Sequence, residues 1–164
     1  MTIRIFVTGG TFDKEYDEIK GQLYFNSTHL PELLKLGRCT IPVDLQTLMM
    51  VDSLHMTEYD RLRIVEHCIT CEFDKIIITH GTDTMVETAG KIAESKIEKT
   101  IVLTGAMIPY KFGSSDGLFN MGCALSFVQT LPPGVYITMN GRCFNWNAVK
   151  KNKETGFFEE IKKP

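Results

Sequence analysis

The chain has 164 residues, of which 43% are hydrophobic and 23% are charged, and its formal net charge at pH 7 is -2. This length suits one domain with one substantial core, and the weak negative charge does not indicate a nucleic-acid partner. No stretch approaches the roughly 18 apolar residues of a membrane span, and the first residues lack the pattern of a secretory leader. We therefore expect a single cytoplasmic domain over residues 1–164, with no membrane partner and no nucleic-acid partner.

The five cysteines are an odd number and are scattered along the chain. A chain of this size does not need disulfide bonds for stability, so we expect free thiols. His67, Cys68 and Cys71 lie close together in sequence, but no second pair follows at the spacing of a zinc site. We expect neither a metal ion nor another cofactor, since partly buried thiols on a core-facing helix explain this cluster.

The first predicted element is a buried strand over residues 3–7 that stops at Thr8-Gly9-Gly10-Thr11. Its Ile, Phe and Val residues favour a central strand. Gly9 and Gly10 can adopt backbone angles barred to other residues, which lets a ligand approach the backbone closely. The strand is therefore predicted to open onto a binding site.

The next segment, residues 12–25, is charged at its start and has no sustained hydrophobic period. We predict a loop followed by a short strand. A charged loop beside a strand end is a candidate lid over a site. A solvated hairpin is an equally good interpretation.

Helices and strands alternate along the rest of the chain. Apolar residues at helical spacing and N-capping residues predict the helices, and short apolar runs predict the strands. In order, the predicted elements are a short helix after Ser27 or Thr28, a strand over 43–51, a helix from 57 to 71, a strand over 75–79, a helix up to 95, a strand over 100–103, a helix from 116 to 131, and strands over 135–139 and 142–145. Asn140-Gly141 between the last two strands is a strong hairpin signal. Residues 146–164 resemble a surface arm or a docking segment.

This order predicts an α/β fold: a doubly wound, mostly parallel sheet flanked by helices, with a C-terminal β-hairpin. In such a sheet the ligand binds outside the carboxyl ends of the strands. Three strands end in Thr and Gly, at 8–11, 79–81 and 104–105, and Asp52-Ser53 forms a fourth polar end. We expect these ends to gather hydroxyls and backbone N–H groups in one crevice, although ordinary strand-to-helix turns also use these residues.

Thr11 and Thr82 are the candidate nucleophiles at these strand ends. A threonine hydroxyl is a weak nucleophile at neutral pH, so it needs a nearby base or groups that stabilise an oxyanion. The N–H groups beside Gly10 and Gly81 are candidates for an oxyanion hole, and Asp83 is a candidate for binding an ammonium group or orienting a base. A phosphate site fits less well, because the first glycine turn matches neither the dinucleotide fingerprint nor the P-loop motif.

Four segments together carry a resemblance to a known family. They are Thr-Gly-Gly-Thr at 8–11, His-Gly-Thr-Asp-Thr at 80–84, Gly-Ala-Met-Ile-Pro at 105–109 and Asp-Gly-Leu-Phe-Asn at 116–120. On these segments the chain resembles the bacterial-type L-asparaginases, a family of amidohydrolases with two catalytic threonines. The resemblance covers nearly the whole chain and implies hydrolysis of the asparagine side-chain amide to aspartate and ammonia.

The resemblance also implies roles for individual residues. Thr11 corresponds to the first catalytic threonine, and Thr82, Asp83 and Lys150 to the group around the second. Lys150 is preferred to its neighbour at 151 because Lys150 with the asparagine at 152 resembles the family's K-x-N spacing. Tyr16 resembles the tyrosine of the family's mobile loop, although another tyrosine, at 24, lies in the same segment.

The substrate-binding residues implied by the resemblance are Gly10, Asp52, Ser53, Gly81 and Ala106. Asp52-Ser53 is similar to the family's pair in which the serine binds the substrate α-carboxylate. The aspartate after the second threonine meets the α-ammonium group, and Ala106 offers its backbone carbonyl to the amide.

The sequence departs from the family pattern in two respects. Typical members have a smaller C-terminal domain that contributes an acidic residue to a neighbouring subunit's site, whereas this sequence resembles a short, single-domain form and predicts a homo-oligomer. Leu54 also stands where a polar residue is commoner. Two alternatives remain, namely an asparaginase-like subunit of a transfer-RNA amidotransferase and an amino-acid-binding module without catalysis, although the negative charge and the two threonines disfavour them.

Overall fold

The computed structural model describes residues 1–161, in which strands and helices follow one another in the predicted order. The strands are β1 (Ile3–Gly9), β2 (Lys14–Asp17), β3 (Gln22–Phe25), β4 (Val43–Val51), β5 (Lys75–Thr79), β6 (Thr100–Thr104), β7 (Gly134–Met139), β8 (Arg142–Asn145), β9 (Val149–Lys151) and β10 (Phe158–Glu160). The helices are α1 (Leu30–Leu36), α2 (Glu58–Thr70), α3 (Met85–Glu94) and α4 (Gly117–Thr130). None of these helices combines the length and apolar character that crossing a bilayer demands.

A central six-stranded sheet has the order β4-β1-β5-β6-β7-β8. The first five strands are parallel to one another, and β8 pairs antiparallel with β7. Asn140 and Gly141 connect these last two strands with φ angles of 55° and 77°, as a two-residue hairpin turn of this sequence requires. The predicted doubly wound, mostly parallel sheet with a hairpin is therefore confirmed.

The central strands are buried on both faces, which explains why their sequences are continuously apolar. Ile5 and Val7 of β1 pack with α1 and α4 on one face, whereas Phe6 packs with α2 and α3 on the other. Ile77 and Ile78 of β5 alternate in the same way. The register of each strand is thus fixed by two layers of apolar contacts.

Local signals in the sequence also set the helix boundaries. Thr57 and Asp60 form a reciprocal capping box at the start of α2, as their spacing predicts. Pro31 lies in the first turn of α1, and Gly37 ends that helix.

Helix α4 follows an uncommon path. The connections β5-α3-β6 and β6-α4-β7 step in the same direction across the sheet, yet α3 and α4 lie on opposite faces. The α4 crossover therefore has the opposite hand to the other three, an arrangement that few βαβ units show. As a result the start of α4 returns to β1, where a Cβ on Gly117 would lie 2.5 Å from the Phe12 ring.

Of the interpretations of residues 12–25, the structure contains the hairpin. Strands β2 and β3 pair antiparallel, so the charged segment takes up strand structure from Lys14 onward. Of the two interpretations of residues 146–161, the surface arm is wrong and the segment docks on the domain itself: Val149 and Phe158 are buried in the core of the α2–α3 face, and Trp146 packs against Gly90. Residues 162–164 of that predicted arm lie outside the described residues.

Candidate active site

The candidate site lies at the edge where β1, β4, β5 and β6 end. After β1 the chain crosses to β4 on one side, and after β4 it returns past β1 to β5 on the other side. The loops therefore diverge between β1 and β5, which is the switch point where open α/β sheets bind ligands. Thr11 follows β1 and Thr82 follows β5, so the two candidate threonines flank this switch point.

Glycine contacts hold the loops of this edge together. A Cβ on Gly10 would lie 2.5 Å from the Gly81 backbone nitrogen, and one on Gly81 would lie 2.5 Å from the Ser53 Oγ. Gly10 also has a φ of 84°, a conformation that other residues rarely adopt. The first two loops meet backbone to backbone, and the third meets Gly81 through the Ser53 side chain. Each candidate threonine follows one of the two touching glycines.

The strand-terminal threonines do not supply the site's hydroxyls, contrary to the expectation that all these strand ends would gather them. Thr8 and Thr104 are buried, and their hydroxyls donate to the carbonyls of Thr79 and Thr138 at 2.7 and 2.8 Å. Threonine suits these positions because it fits a strand and because its hydroxyl donates a hydrogen bond to a carbonyl of the neighbouring strand. The chemistry therefore depends on the second threonine of each turn.

Gly10 is not a free oxyanion donor, because its N–H donates to the Val51 carbonyl at 3.1 Å. Its role at this turn is close packing. Thr11, the residue after it, is partly buried and begins a single 3-10 turn, Thr11–Asp13.

Thr82 lies in a polar cluster with a lysine and a carboxylate. The Lys151 Nζ donates to the Thr82 Oγ1 at 2.8 Å and to the Asp83 Oδ1 at 2.7 Å. Thr82 is buried and the Asp83 side chain is half exposed. The ammonium group thus bridges a hydroxyl that faces the interior and a carboxylate that faces solvent.

The lysine of this cluster is Lys151, so the prediction of Lys150 is corrected. Successive side chains of β9 point to opposite sides of the strand. Lys150 faces outward, is 60% exposed and lies 3.4 Å from Glu159, whereas the Lys151 side chain is 13% exposed. The K-x-N spacing did not reveal which neighbour faces inward, but alternation from the buried Val149 would have pointed to Lys151.

The loop after β6 is held against Thr82 by the start of α4. Both carboxylate oxygens of Asp116 accept the Met107 N–H, at 3.0 and 3.1 Å, and the Asn120 amide donates to the Gly105 carbonyl at 3.0 Å. The Met107 thioether accepts a hydrogen bond from the Thr82 hydroxyl at 3.4 Å. These contacts explain why an Asp-Gly-x-x-Asn segment follows the Gly-Ala-Met segment, and they place the buried Ala106 beside the site.

A second contact of Asn120 connects α4, through Asn140, to β10, the strand that pairs with β9. The Asn120 Oδ1 accepts from the Asn140 N–H at 3.1 Å, and the Asn140 Oδ1 accepts from the Phe158 N–H at 3.0 Å. Phe158 is paired with Lys151 in the β9–β10 ladder. Asn120 and Asn140 were not among the predicted site residues, because only the folded chain shows this relay.

His80 stabilises the turn that carries Thr82 through a hydrogen bond to the Gly81 carbonyl. It is buried, and desolvation lowers its pKa to about 4. The ring is therefore neutral near pH 7, with Nδ1 donating to the Gly81 carbonyl at 2.7 Å and Nε2 accepting from the Thr88 hydroxyl at 2.8 Å. His80 acts as a structural clamp on the turn.

The β2–β3 hairpin is attached to this edge at its base. Lys14 pairs with Asp52, which also accepts from the Leu54 N–H at 2.9 Å. Partial burial acts to raise the pKa of Asp52, but the hydrogen bonds from Lys14 and Leu54 outweigh it and hold that pKa below its usual value. Asp52 therefore shapes the turn that presents Ser53, which is buried against Gly81.

Tyr16 lies further along the hairpin and is 52% exposed. A Cβ on Gly21 would lie 3.9 Å from the Tyr16 hydroxyl, so this hydroxyl is directed toward the turn of the hairpin. Tyr24 is on the other face, where its hydroxyl donates to Glu15 at 3.0 Å. The structure thus brings Thr82, Asp83 and Lys151 together and leaves Tyr16 in solvent.

Asp13 and His29 form a buried polar pair beneath the hairpin. The Asp13 Oδ1 accepts from the Thr28 hydroxyl and the His29 N–H, and desolvation raises the pKa of Asp13. The His29 Nε2 lies 3.2 Å from Glu15. This pair anchors the hairpin to the start of α1, and an Asp two residues after Thr11 is the sequence signal for it.

A cavity of about 910 Å³ opens beside the cluster and is lined by Asp83, Thr84, Met107, Lys151 and Gly156, among others. Its size is sufficient for an amino acid. In the part of the chain that the structure describes, no group of three or more His, Cys, Asp and Glu side chains is arranged to hold a metal ion. The five cysteines carry free thiols, as predicted.

The fold and this cluster define the class of protein: an α/β domain with two threonine turns, a lysine and a carboxylate at the switch point of a parallel sheet. Comparison with known proteins gives the family. The family model described as "Asparaginase, N-terminal" matches residues 2–162, and the chain belongs to the asparaginase family.

Individual relatives agree with this assignment. The L-asparaginase of Thermococcus kodakarensis is 26% identical, matching the whole chain and 52% of the relative, and its structure superposes with a TM-score of 0.87. L-asparaginase 1 of Escherichia coli K12 is 29% identical over 95% of this chain and 49% of its own. A probable cytoplasmic L-asparaginase from Campylobacter jejuni gives a TM-score of 0.79 at 29% identity, covering 91% of this chain and 49% of its own. The chain spans about half the length of these relatives.

Proposed function

We propose that this protein hydrolyses the side-chain amide of asparagine to aspartate and ammonia, with a threonine as the nucleophile. The observation that carries the proposal is the contact of Lys151 with both Thr82 and Asp83, next to the touching glycines that precede Thr11 and Thr82. Membership of the asparaginase family and the names of the relatives support this reaction.

Thr11 is the proposed nucleophile. Its hydroxyl gives up a proton to the proton-handling group as Oγ1 forms a bond to the amide carbon. The C–N bond then breaks, and the same group delivers a proton to the departing nitrogen, which leaves as ammonia. Water then attacks the acyl-threonine ester, which releases aspartate and restores the hydroxyl. Covalent catalysis of this kind divides one difficult step into two easier ones.

Thr82, Lys151 and Asp83 form the proposed proton-handling group. A hydroxyl gives up its proton only to an acceptor, so Lys151 must be a neutral amine when it takes the proton of Thr82. The Asp83 carboxylate, 2.7 Å from Nζ, stabilises the ammonium ion that forms. Burial of Thr82 strengthens these interactions, because the local dielectric is low.

The remaining site residues are proposed to bind the substrate. Ser53 would contact the α-carboxylate, the outer oxygen of Asp83 the α-ammonium group, and the Ala106 carbonyl the amide nitrogen. Gly10 and Gly81 allow the substrate to approach the backbone, and Asp52 supports Ser53 through the turn that it shapes.

Tyr16 joins this site only if the hairpin moves, and we propose that the β2–β3 hairpin is the lid. Its base is fixed through Lys14 and Glu15, whereas Ile19 near its tip is 92% exposed. A segment with so few buried contacts is suited to closing over a ligand.

We also propose that the protein acts in the cytoplasm as a homo-oligomer without nucleic-acid partners. Apolar side chains on the segment 108–119 support self-association: Ile108, Phe112, Leu118 and Phe119 are each more than one-third exposed. Several large apolar side chains exposed on one segment are compatible with a protein interface. Light scattering should give a mass above that of one chain, and a monomer with full activity would contradict the oligomer.

The test of the function is ammonia release from L-asparagine by the purified chain, without ATP or transfer RNA. Thr11→Ala and Thr82→Val should each fold, as judged by circular dichroism, and lose at least about 2.7 kcal/mol of transition-state stabilisation, roughly a hundredfold in rate. Release that requires ATP and transfer RNA would indicate an amidotransferase subunit, and asparagine binding without release would indicate a binding module. Either result would reject the proposal.

A further inference from the structure

The hydroxyl of Thr82 has two contacts, and their polarity fixes where its proton points. Lys151 donates to the oxygen at 2.8 Å, and the oxygen lies 3.4 Å from the Met107 Sδ. An ammonium group has no lone pair to accept a proton. The hydroxyl proton is therefore directed to the thioether, which makes Met107 its acceptor.

The position of this thioether is built into the structure. Asp116 holds the Met107 N–H at 3.0 and 3.1 Å, so the backbone of the residue is pinned to α4. At the far end of the side chain, a Cβ on Gly156 would lie 3.0 Å from the Met107 Cε. Met107 thus spans the cavity from Thr82 to the turn between β9 and β10.

Met107 is also open to solvent, unlike most methionines of the chain. It is 40% exposed, and Met1 is the other methionine with a large exposed fraction. Five others are buried, with exposed fractions of 9% or less: Met49, Met56, Met85, Met121 and Met139. The Met107 side chain is therefore accessible to an oxidant in solution, whereas these core side chains are protected.

We propose that Met107 positions the Thr82 hydroxyl and is a site of oxidative modification that switches this activity off. Hydrogen peroxide transfers one oxygen atom to the thioether sulfur, its O–O bond breaks, and water is released; the sulfur is oxidised by two electrons and the peroxide is reduced. The product, a sulfoxide, is polar, and methionine sulfoxide reductases restore the thioether.

Oxidation of Met107 changes the strength of the hydrogen bond that it accepts from Thr82. A thioether is a weak acceptor, so the hydroxyl proton can turn from it toward Lys151 when the amine is neutral. The sulfoxide oxygen is a strong acceptor that keeps the proton, and the added atom lies between the sulfur and the hydroxyl and moves the hydroxyl from its position beside Lys151. A misplacement of about 1 Å can cost roughly a hundredfold in rate.

This inference depends on the proposed asparaginase activity, so the experiment measures both modification and turnover. Wild type and Met107→Leu are treated with graded hydrogen peroxide, and each rate of ammonia release is compared with that of the same protein untreated. We expect Met107 sulfoxide to form before sulfoxide at Met85 or Met121, as mapped by peptide mass spectrometry. The wild-type kcat should fall in proportion to the fraction of Met107 that is oxidised, by about a hundredfold at full modification. The KM for asparagine should stay within about twofold of the untreated value.

Two controls separate Met107 from other oxidisable groups. Met50→Leu removes a partly buried methionine of β4 and should leave the sensitivity to peroxide in place. Dithiothreitol reverses disulfides and sulfenic acids of the five cysteines but not a sulfoxide. Inactivation should therefore persist in dithiothreitol, be reversed by sulfoxide reductase, and be absent from Met107→Leu.

A readout that does not need turnover makes failure of this inference distinct from failure of the proposed function. The methyl NMR signal of Thr82 should shift when Met107 is oxidised and shift back after reductase treatment. An unmoved Thr82 signal, equal inactivation of Met107→Leu, or full activity at complete Met107 oxidation would each overturn the inference. An untreated protein that releases no ammonia would reject the function, and the Thr82 signal would still decide the positioning role.

Discussion

Gly10 and Gly81 touch through their backbones, so that a Cβ on Gly10 would lie 2.5 Å from the Gly81 nitrogen. This contact brings together the two turns that carry the candidate threonines. No side chain has to reach across a gap, because the loops themselves are in contact.

Gly10→Ala should destabilise the protein by about 2–4 kcal/mol, because the new methyl group meets rigid backbone at a positive φ. Gly113 is a matched control: its φ is also 84°, but a Cβ there would have no heavy atom within 4 Å. Gly113→Ala should cost only about 1 kcal/mol of backbone strain. Urea unfolding of both variants measures the difference, and equal losses would contradict the role of close packing.

Lys151→Met should lower the rate of asparagine hydrolysis by at least about a hundredfold, because Thr82 loses its proton acceptor. Lys150→Met provides the control on the same strand and should keep the wild-type rate, since Lys150 is 60% exposed and pairs with Glu159. Steady-state kinetics with matched thermal melts distinguish the two. A larger loss in the Lys150 variant would restore the assignment made from sequence.

Stability should fall in acid because of His80. Its pKa is about 4 in the folded protein and 6.5 when the chain is unfolded, so the unfolded state binds a proton more readily. The contribution of neutral His80 to the free energy of unfolding is fully present above pH 6.5. It is lost as the pH falls to about 4, and the total loss is about 3 kcal/mol. Urea unfolding at several pH values should show this slope in wild type and a shallower one in His80→Gln; parallel slopes would show that His80 is not responsible.

The relay from Asn120 through Asn140 to Phe158 should influence Lys151 from a distance. Asn140→Gly suits the positive φ of the turn and removes only the acceptor of the Phe158 N–H. Loss of one such hydrogen bond is worth about 1 kcal/mol, so the rate should fall by up to roughly tenfold. Amide exchange at Phe158 should speed up in parallel. A slower rate with unchanged exchange at Phe158 would argue against the relay.

Closure of the hairpin should be visible in hydrogen exchange. Added aspartate, the proposed product, should slow exchange at the outer part of the hairpin, residues 16–23, more than at its fixed base. The expected protection follows from the exposed tip and the anchored Lys14 and Glu15. Unchanged exchange with bound aspartate would favour a static, solvated hairpin.

Much of the fold was predictable because local patterns and tertiary packing agree. The strand of residues 43–51 is found with the predicted bounds, the capping box of α2 is present, and the Asn-Gly turn joins β7 to β8. In these segments the hydrophobic period, the caps and the turn residues all favour the same structure.

The errors concern properties that depend on neighbours distant in sequence. Lys150 and Lys151 are chemically identical, and only the direction in which β9 faces distinguishes them. Trp146, Val149 and Phe158 are too widely spaced to signal burial, yet they pack on α3 and the sheet. The hydrogen-bond partners of the Thr8 and Thr104 hydroxyls could not be predicted, because the accepting carbonyls lie on neighbouring strands.

The lysine at the heart of the cluster is held by β10, a very late element of the described chain. During synthesis, the central sheet and both threonine turns leave the ribosome before β10 does, because β10 follows them in the chain. Until β10 is present, the proposed nucleophile lacks the proposed proton acceptor in its folded position. The contacts of Lys151 with Thr82 and Asp83 are therefore complete only after the β9–β10 hairpin has docked.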